Sequence, residues 1–270
     1  MSEAEILYNK PVTSTHRVMG LKWKCPPVRP GQFVMLKPNK DYDPLLRRPF
    51  AVYSVLGGRK KTLSGTGIEI LYKVVGKGTG IMDGLTRGEK VDLLAPLGNG
   101  FSPPDRNKKL VLVAGGIGIA SFKLLALLNP GAVLLYGARG KSEVALAKAL
   151  KVPGLKIKIA TEDGSVGRRG LVTDLLKDET THNTVVYACG PTGMLKAVAG
   201  VASEQELSCF VSLERSMACG VGACLGCAVK TLNASAERAG GACGCGGGGL
   251  KMVCSDGPVF DSSCIDWENI

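Results

Sequence analysis

The chain has 270 residues, 45% apolar and 21% charged, a globular balance that excludes wholesale disorder and suggests two domains or three. The longest nearly apolar run, residues 110–122, is too short to span a bilayer and is broken by three glycines. The net charge of +11 divides unevenly, +8 over 1–100, +5 over 101–208 and −2 over 209–270. A basic front two-thirds suits large anionic cofactors. Nucleic-acid binding would need aromatics interleaved with the basic residues, and aromatics are only 5%, so neither nucleic acid nor membrane is an expected partner. The first residues lack the basic and apolar regions of a signal peptide, which predicts a cytoplasmic chain. Disulfides are rare in that compartment, so ten cysteines point to metal or redox use.

From the N-terminus, short strands are expected over 32–37, 50–55, 68–75 and 90–94, each bounded by Gly or Pro. No helical stripe exceeds two turns, so residues 1–102 read as a small antiparallel β-barrel or sandwich. Pro103-Pro104-Asp105-Arg106-Asn107 reads as a linker. From 106 to 208, apolar runs at 109–114, 132–136, 155–159 and 184–188 alternate with helical candidates at 120–128, 143–151, 171–177 and 193–203. That alternation predicts a parallel α/β sheet. From Cys209 to residue 270 the chain becomes cysteine- and glycine-rich. Within it, 233–249 reads as an insertion, because seven glycines in the ten residues from 240 cannot bury a core.

Three constellations carry chemistry. The strongest is Cys219-x4-Cys224-x2-Cys227 followed at a distance by Cys254, the ligand spacing of plant-type [2Fe–2S] centres. Gly220, Gly222 and Gly226 let the loop curl and turn N–H groups toward sulfur. Zinc remains an alternative, since Cys224-x2-Cys227 alone fits it. Cys243 and Cys245 compete for the fourth ligand position, and Cys254 is preferred for its ordered-looking surroundings. Cys25, Cys209 and Cys264 have no partner pattern and read as buried hydrophobes.

The second constellation is Arg47-Arg48-Pro49-Phe50 with Gly76-Lys77-Gly78-Thr79: an Arg fork, close backbone approach and a hydroxyl suited to pyrophosphate, or else a surface turn. The third is Gly115-Gly116-Ile117-Gly118 between a strand and a helix, a phosphate-accepting arrangement or simply tight packing. It is not the G-x-G-x-x-G fingerprint, because Ser121 holds the third glycine position. Cys189-Gly190-Pro191 repeats the strand–loop–helix logic, at the sheet end where open α/β folds bind ligands.

In this order the motifs resemble the ferredoxin–NADP reductase superfamily, and within it the electron-transfer subunits of two-subunit, NAD-linked dihydroorotate dehydrogenases. The resemblance covers nearly the whole chain, excepting 233–249. It implies a FAD-binding barrel at 1–102, an NAD-binding α/β domain at 106–208 and a [2Fe–2S] domain at 209–270. The flavin contacts it implies are Arg48, Pro49, Phe50, Ala51, Leu71, Tyr72, Lys73, Gly78 and Thr79. Nucleotide contacts fall on Gly115, Gly116, Gly118, Cys189, Gly190 and Pro191, and metal ligands on Cys219, Cys224, Cys227 and Cys254. Ala51 departs from the pattern by replacing a hydroxyl.

The implied partner is an FMN-containing catalytic subunit that oxidises dihydroorotate in pyrimidine (UMP) biosynthesis, assembled as a heterotetramer. Electrons would pass from it through [2Fe–2S] and FAD to NAD+. Nicotinamide moves two electrons as hydride and an iron–sulfur centre one, so a flavin must stand between. No side chain is expected to act as general acid or base, and Cys189 is a packing or positioning candidate. Arg139 could meet a 2′-phosphate or be solvated. The alternative is a flavin and iron–sulfur reductase subunit serving a hydrogenase, a sulfite reductase or a ferredoxin.

Overall fold

The computed structural model describes residues 2–39, 41–58, 63–232 and 248–270. Strands β1 (Ser2–Pro11), β2 (His16–Cys25), β3 (Phe33–Lys37), β4 (Arg48–Leu56) and β5 (Gly65–Lys73) precede helix α1 (Lys77–Gly84) and strand β6 (Lys90–Leu97). The six strands close into a barrel in the order β1-β2-β5-β4-β3-β6, antiparallel at every pairing. Residues two apart fill its interior, among them Ala4 and Ile6, Val34 and Leu36, Ile68 and Ile70, Val91 and Leu93.

β1 and β2 were not expected. In β1 only Ala4 and Ile6 are fully buried, between charged neighbours, so its alternation is faint. β2 carries Gly20 because the Tyr8 ring lies on it; a Cβ there would sit 2.5 Å from Tyr8 Cζ. α1 was also unexpected, since its first turn holds glycine at 78 and follows another at 76, both poor helix formers. Thr79 fastens that turn: its Oγ1 accepts from the N–H of Val75 at 2.9 Å and of Gly76 at 3.1 Å.

β7 (Lys109–Gly115) leads into a 3-10 segment, Gly116–Phe122, and then helix α2 (Lys123–Leu128). Next come β8 (Val133–Ala138), α3 (Lys141–Ala149), β9 (Lys156–Thr161), β10 (Arg168–Arg169), α4 (Val172–Glu179), β11 (Thr184–Cys189), α5 (Thr192–Glu204) and β12 (Ser208–Ser212). β13 (Ala228–Thr231) and β14 (Gly249–Met252) form a two-stranded ribbon, and β15 (Val259–Asp261) follows. The sheet order is β10-β9-β8-β7-β11-β12-β15, parallel except that β15 runs antiparallel to β12. The strand order therefore reverses beside β7, which puts the ligand-binding crevice at the C-terminal ends of β7 and β11.

Two differences from expectation bear on the site. The expected helix over 120–128 is split, its first part wound as 3-10. Gly118 presses against the end of β11, where a Cβ on it would lie 2.3 Å from the Cys189 carbonyl oxygen. The sheet also runs past residue 209: β12 pairs with β11, and β15 returns to it after the cluster motif. The cysteine-rich stretch is thus held at both ends by one sheet.

It is also packed on the barrel. Phe33 and Met35 share a core with Cys227, Val253, Cys254 and Phe260. Asn99 N–H donates to the Gly257 carbonyl at 2.6 Å. Among the described residues no helix is long and apolar enough to cross a membrane.

Candidate functional site

The four motif cysteines fall into two pairs. Cys227 Sγ and Cys254 Sγ lie 3.2 Å apart, both buried. The Cys219 sulfur accepts from the Val221 N–H at 3.4 Å, and also from the N–H groups of Ala223 and Cys224 and the Cys224 thiol. These donors, Val221 foremost, hold the Cys219 thiol down to about 6. Gly222 N–H donates to Cys254 Sγ at 3.0 Å, and Cys254 N–H to Cys227 Sγ at 3.4 Å. The loop reaches this shape through Gly220 and Gly222, at φ +76° and +82°, a region costly for other residues.

Among the described residues no three His, Cys, Asp or Glu side chains are grouped as a single-ion site demands. A two-iron centre asks for two sulfurs per iron, the arrangement of the pairs. Burial and the adjacent Cys227 push Cys254 up to about 12, so its sulfur becomes a thiolate only where positive charge offsets it. Cys243 and Cys245 lie outside the described residues, as does 233–247, while Gly249 opens β14. Cys25, Cys209 and Cys264 are buried.

Two cavities flank the junction of barrel and sheet. The first, about 520 Å³, has Pro49, Phe50, Ala51, Leu71, Tyr72 and Lys73 on its barrel side, with Thr79 of α1. Ser121, Cys189 and residues 212–217 face them. Arg48 and Gly78 are not among the lining residues but touch each other: a Cβ on Gly78 would sit 2.6 Å from Arg48 Nε. The second cavity, about 600 Å³, lies over the strand ends, with Gly115, Gly116, Gly190 and Pro191 in its wall and Arg139 and Glu162 farther along. Gly118 is instead packed beneath the Cys189 carbonyl. Three residues line both cavities: Lys73, Ile117 and Glu214.

Known proteins carry the same architecture. Residues 214–266 match the model of the "iron-sulfur cluster binding domain of dihydroorotate dehydrogenase B". The chain is 36% identical over 259 residues, 96% of its length and 95% of the relative's, to the dihydroorotate dehydrogenase B (NAD(+)) electron transfer subunit of Caldanaerobacter subterraneus subsp. tengcongensis. It is likewise 36% identical to that of Desulforamulus reducens, over 88% and 87% of the two chains. The chain belongs to the dihydroorotate dehydrogenase B electron transfer subunit family.

Among solved structures, an NADH-dependent reduced ferredoxin–NADP oxidoreductase matches with a TM-score of 0.78 and 26% identity, over 99% of this chain and 91% of that one. A ferredoxin NADP+ reductase from Neisseria gonorrhoeae shares the fold at a TM-score of 0.62 and 20% identity, over 76% and 91%.

The first cavity of this family member also has the donors that a large anion needs. Arg215 Nε is buried without a hydrogen-bond partner among the described residues, and Arg215 lines the cavity. Cys189, buried with its Sγ 3.4 Å from Ser121 Oγ, is pushed up to about 12 by burial, so it is an inert packing thiol and not a nucleophile.

Sequence reading missed Ile117, Glu214, Arg215 and His16. Glu214 and Arg215 sit between β12 and the cluster motif, and β12's pairing was the signal that would have aimed them at the crevice. His16 is β2's cross-strand partner of Lys73. Finding it required β2.

Proposed function

We propose that this chain is the oxidoreductase subunit that carries electrons from a dihydroorotate-oxidising catalytic subunit to NAD+, with FAD, a [2Fe–2S] cluster and NAD as its cofactors. The observation that carries the reading is the meeting of the two cavities at Lys73, Ile117 and Glu214. Hydride transfer needs the donor and acceptor rings within about 3–3.5 Å, and contiguous sites for flavin and dinucleotide would permit that approach. When bound, the flavin exchanges hydride with nicotinamide, and the cluster supplies single-electron steps.

The chain's residues bind and orient. Arg48, steadied by Gly78, and Thr79 at the start of α1 present charge and backbone donors for the flavin's pyrophosphate. Phe50, Leu71 and Tyr72 give the cavity an apolar wall that excludes water. Gly115, Gly116, Gly190 and Pro191 let the dinucleotide approach the strand ends. Cys219, Cys224, Cys227 and Cys254 would hold the cluster, with N–H groups trained on three of the sulfurs.

The family names favour this assignment over a subunit of a hydrogenase, sulfite reductase or ferredoxin reductase. The partner we infer carries FMN and assembles with this chain as a heterotetramer. We infer a cytoplasmic setting, where thiols stay reduced and available to metal. Mixing the anaerobically purified chain with an FMN-containing dihydroorotate dehydrogenase subunit should give dihydroorotate-dependent NAD+ reduction. NAD+ reduction that occurs without the partner, or that no such partner restores, overturns the assignment.

A further inference from the structure

Where the two cavities meet, the wall carries one apolar residue and two charged ones. Ile117 belongs to the 3-10 segment, Lys73 ends the barrel strand β5, and Glu214 follows β12 of the sheet. Lys73 and Glu214 come from different walls, and no ion pair joins them among the described residues. Glu214 also faces Cys189, whose own thiol is raised in part by the Glu214 charge.

Glu214 is exposed at this junction; among the described residues no hydrogen bond or ion pair holds its carboxylate, and desolvation by the surrounding walls raises it above the usual carboxylate range. It is open to both cavities. Such a group gains from the arrival of a cation.

The two redox states of the nicotinamide differ in that property. The oxidised ring carries a positive charge and the reduced ring none, while the remainder of the dinucleotide is identical. We propose that Glu214 is a specificity-determining residue of the nucleotide site, whose carboxylate faces the nicotinamide ring and favours the oxidised, cationic form over the neutral reduced one. This inference rests on the assignment of the two cavities to flavin and dinucleotide. In a subunit that delivers electrons to NAD+, the preference retains the acceptor and lets the reduced product leave.

The test compares binding of the two charge states. The oxidised, FAD- and iron-loaded protein is titrated calorimetrically with NAD+ and with 1,4,5,6-tetrahydro-NADH, a neutral mimic that cannot transfer hydride. Glu214→Gln removes the charge and keeps the shape. It is expected to weaken NAD+ binding about tenfold, the size of a hydrogen-bonded charge contact, and to leave the tetrahydro form unchanged. Glu214→Asp, which retains the charge on a shorter arm, is expected to keep part of the discrimination. Lys73 and the phosphates are the same in wild type and variants and drop out of the comparison.

Equal weakening of both ligands would make Glu214 a hydrogen-bonding anchor or a structural support, and no change in either would put it away from the ring; each result overturns the proposal. Flavin and iron content, measured on the same samples, report whether the variants fold. Failure of the wild-type protein to bind either nucleotide would instead bring down the functional assignment on which the proposal stands.

Discussion

At the scale of single residues, the cysteines divide by what surrounds their sulfurs. Cys254 receives the Gly222 N–H and touches Cys227, whereas Cys209 is buried in β12 with its thiol pushed up to about 12 by burial. Cys254→Ser should therefore lose most of the iron and the visible cluster absorbance, while Cys209→Ser keeps both. Cys243→Ser and Cys245→Ser should keep them as well, and loss of iron there would move the fourth ligand out of Cys254. Ala51 lines the first cavity where the family pattern has a hydroxyl. A hydrogen bond to a charged group contributes about 1.5–3 kcal/mol, so Ala51→Ser is expected to tighten FAD binding about ten- to a hundredfold. Fluorescence titration of the flavin-stripped protein measures this; an unchanged affinity would mean the phosphate does not reach position 51.

Among elements, Glu179 ties three together. It ends α4 and pairs with Lys109 of β7 and Lys158 of β9, while Lys109 Nζ also donates to the Glu179 carbonyl at 2.8 Å. Burial alone would raise its carboxyl, but the two lysines outweigh it and hold the group below the usual range. A carboxylate depressed in the fold contributes stability above its unfolded value and loses it as pH falls through the folded one. Because the lysines are partly exposed, the contribution is modest. Glu179→Gln should cost about 1 kcal/mol at neutral pH and flatten the loss of stability below about pH 4.5, read by urea titration across pH.

The same elements show what the sequence made legible. β7, β8 and β11 are continuous apolar runs buried on both faces, and their pattern stands out without tertiary context. The cluster loop was legible because ligand spacing is a local property. β1, β2 and α1 were not. Their stability comes from barrel closure and from Thr79's grip on its own helix start, and both depend on partners distant in the chain or on one hydrogen bond. Glu214 was hidden for the same reason: its place at the junction follows from β12 joining the sheet, which no local pattern announces.

For the whole molecule, the cluster loop lies at the surface while its anchors lie inside. Cys227 and Cys254 are buried against the barrel's Phe33 and Met35, but Cys224 is exposed, and beside it Val221 and Leu225 are 53% and 64% exposed. Leu225 holds a left-handed φ of +57°, a conformation uncommon for a bulky apolar residue and retained here on an open loop. Electron transfer falls steeply with distance, so the catalytic subunit must approach the cluster closely, and this apolar edge is where it can. Residues 209–270 carry a net charge of only −2, against +8 and +5 in the preceding segments, so long-range attraction contributes little to docking there. Leu225→Asp is accordingly expected to weaken association with the catalytic subunit at least about tenfold in analytical ultracentrifugation, with iron and flavin content unchanged. Leu128→Asp, a comparable exposed residue on α2, should leave association intact. Wild-type affinity should change little when salt is raised from low to physiological strength, since apolar contacts are not screened. A steep salt dependence, or equal effects from the two substitutions, would relocate the interface to the basic barrel or sheet.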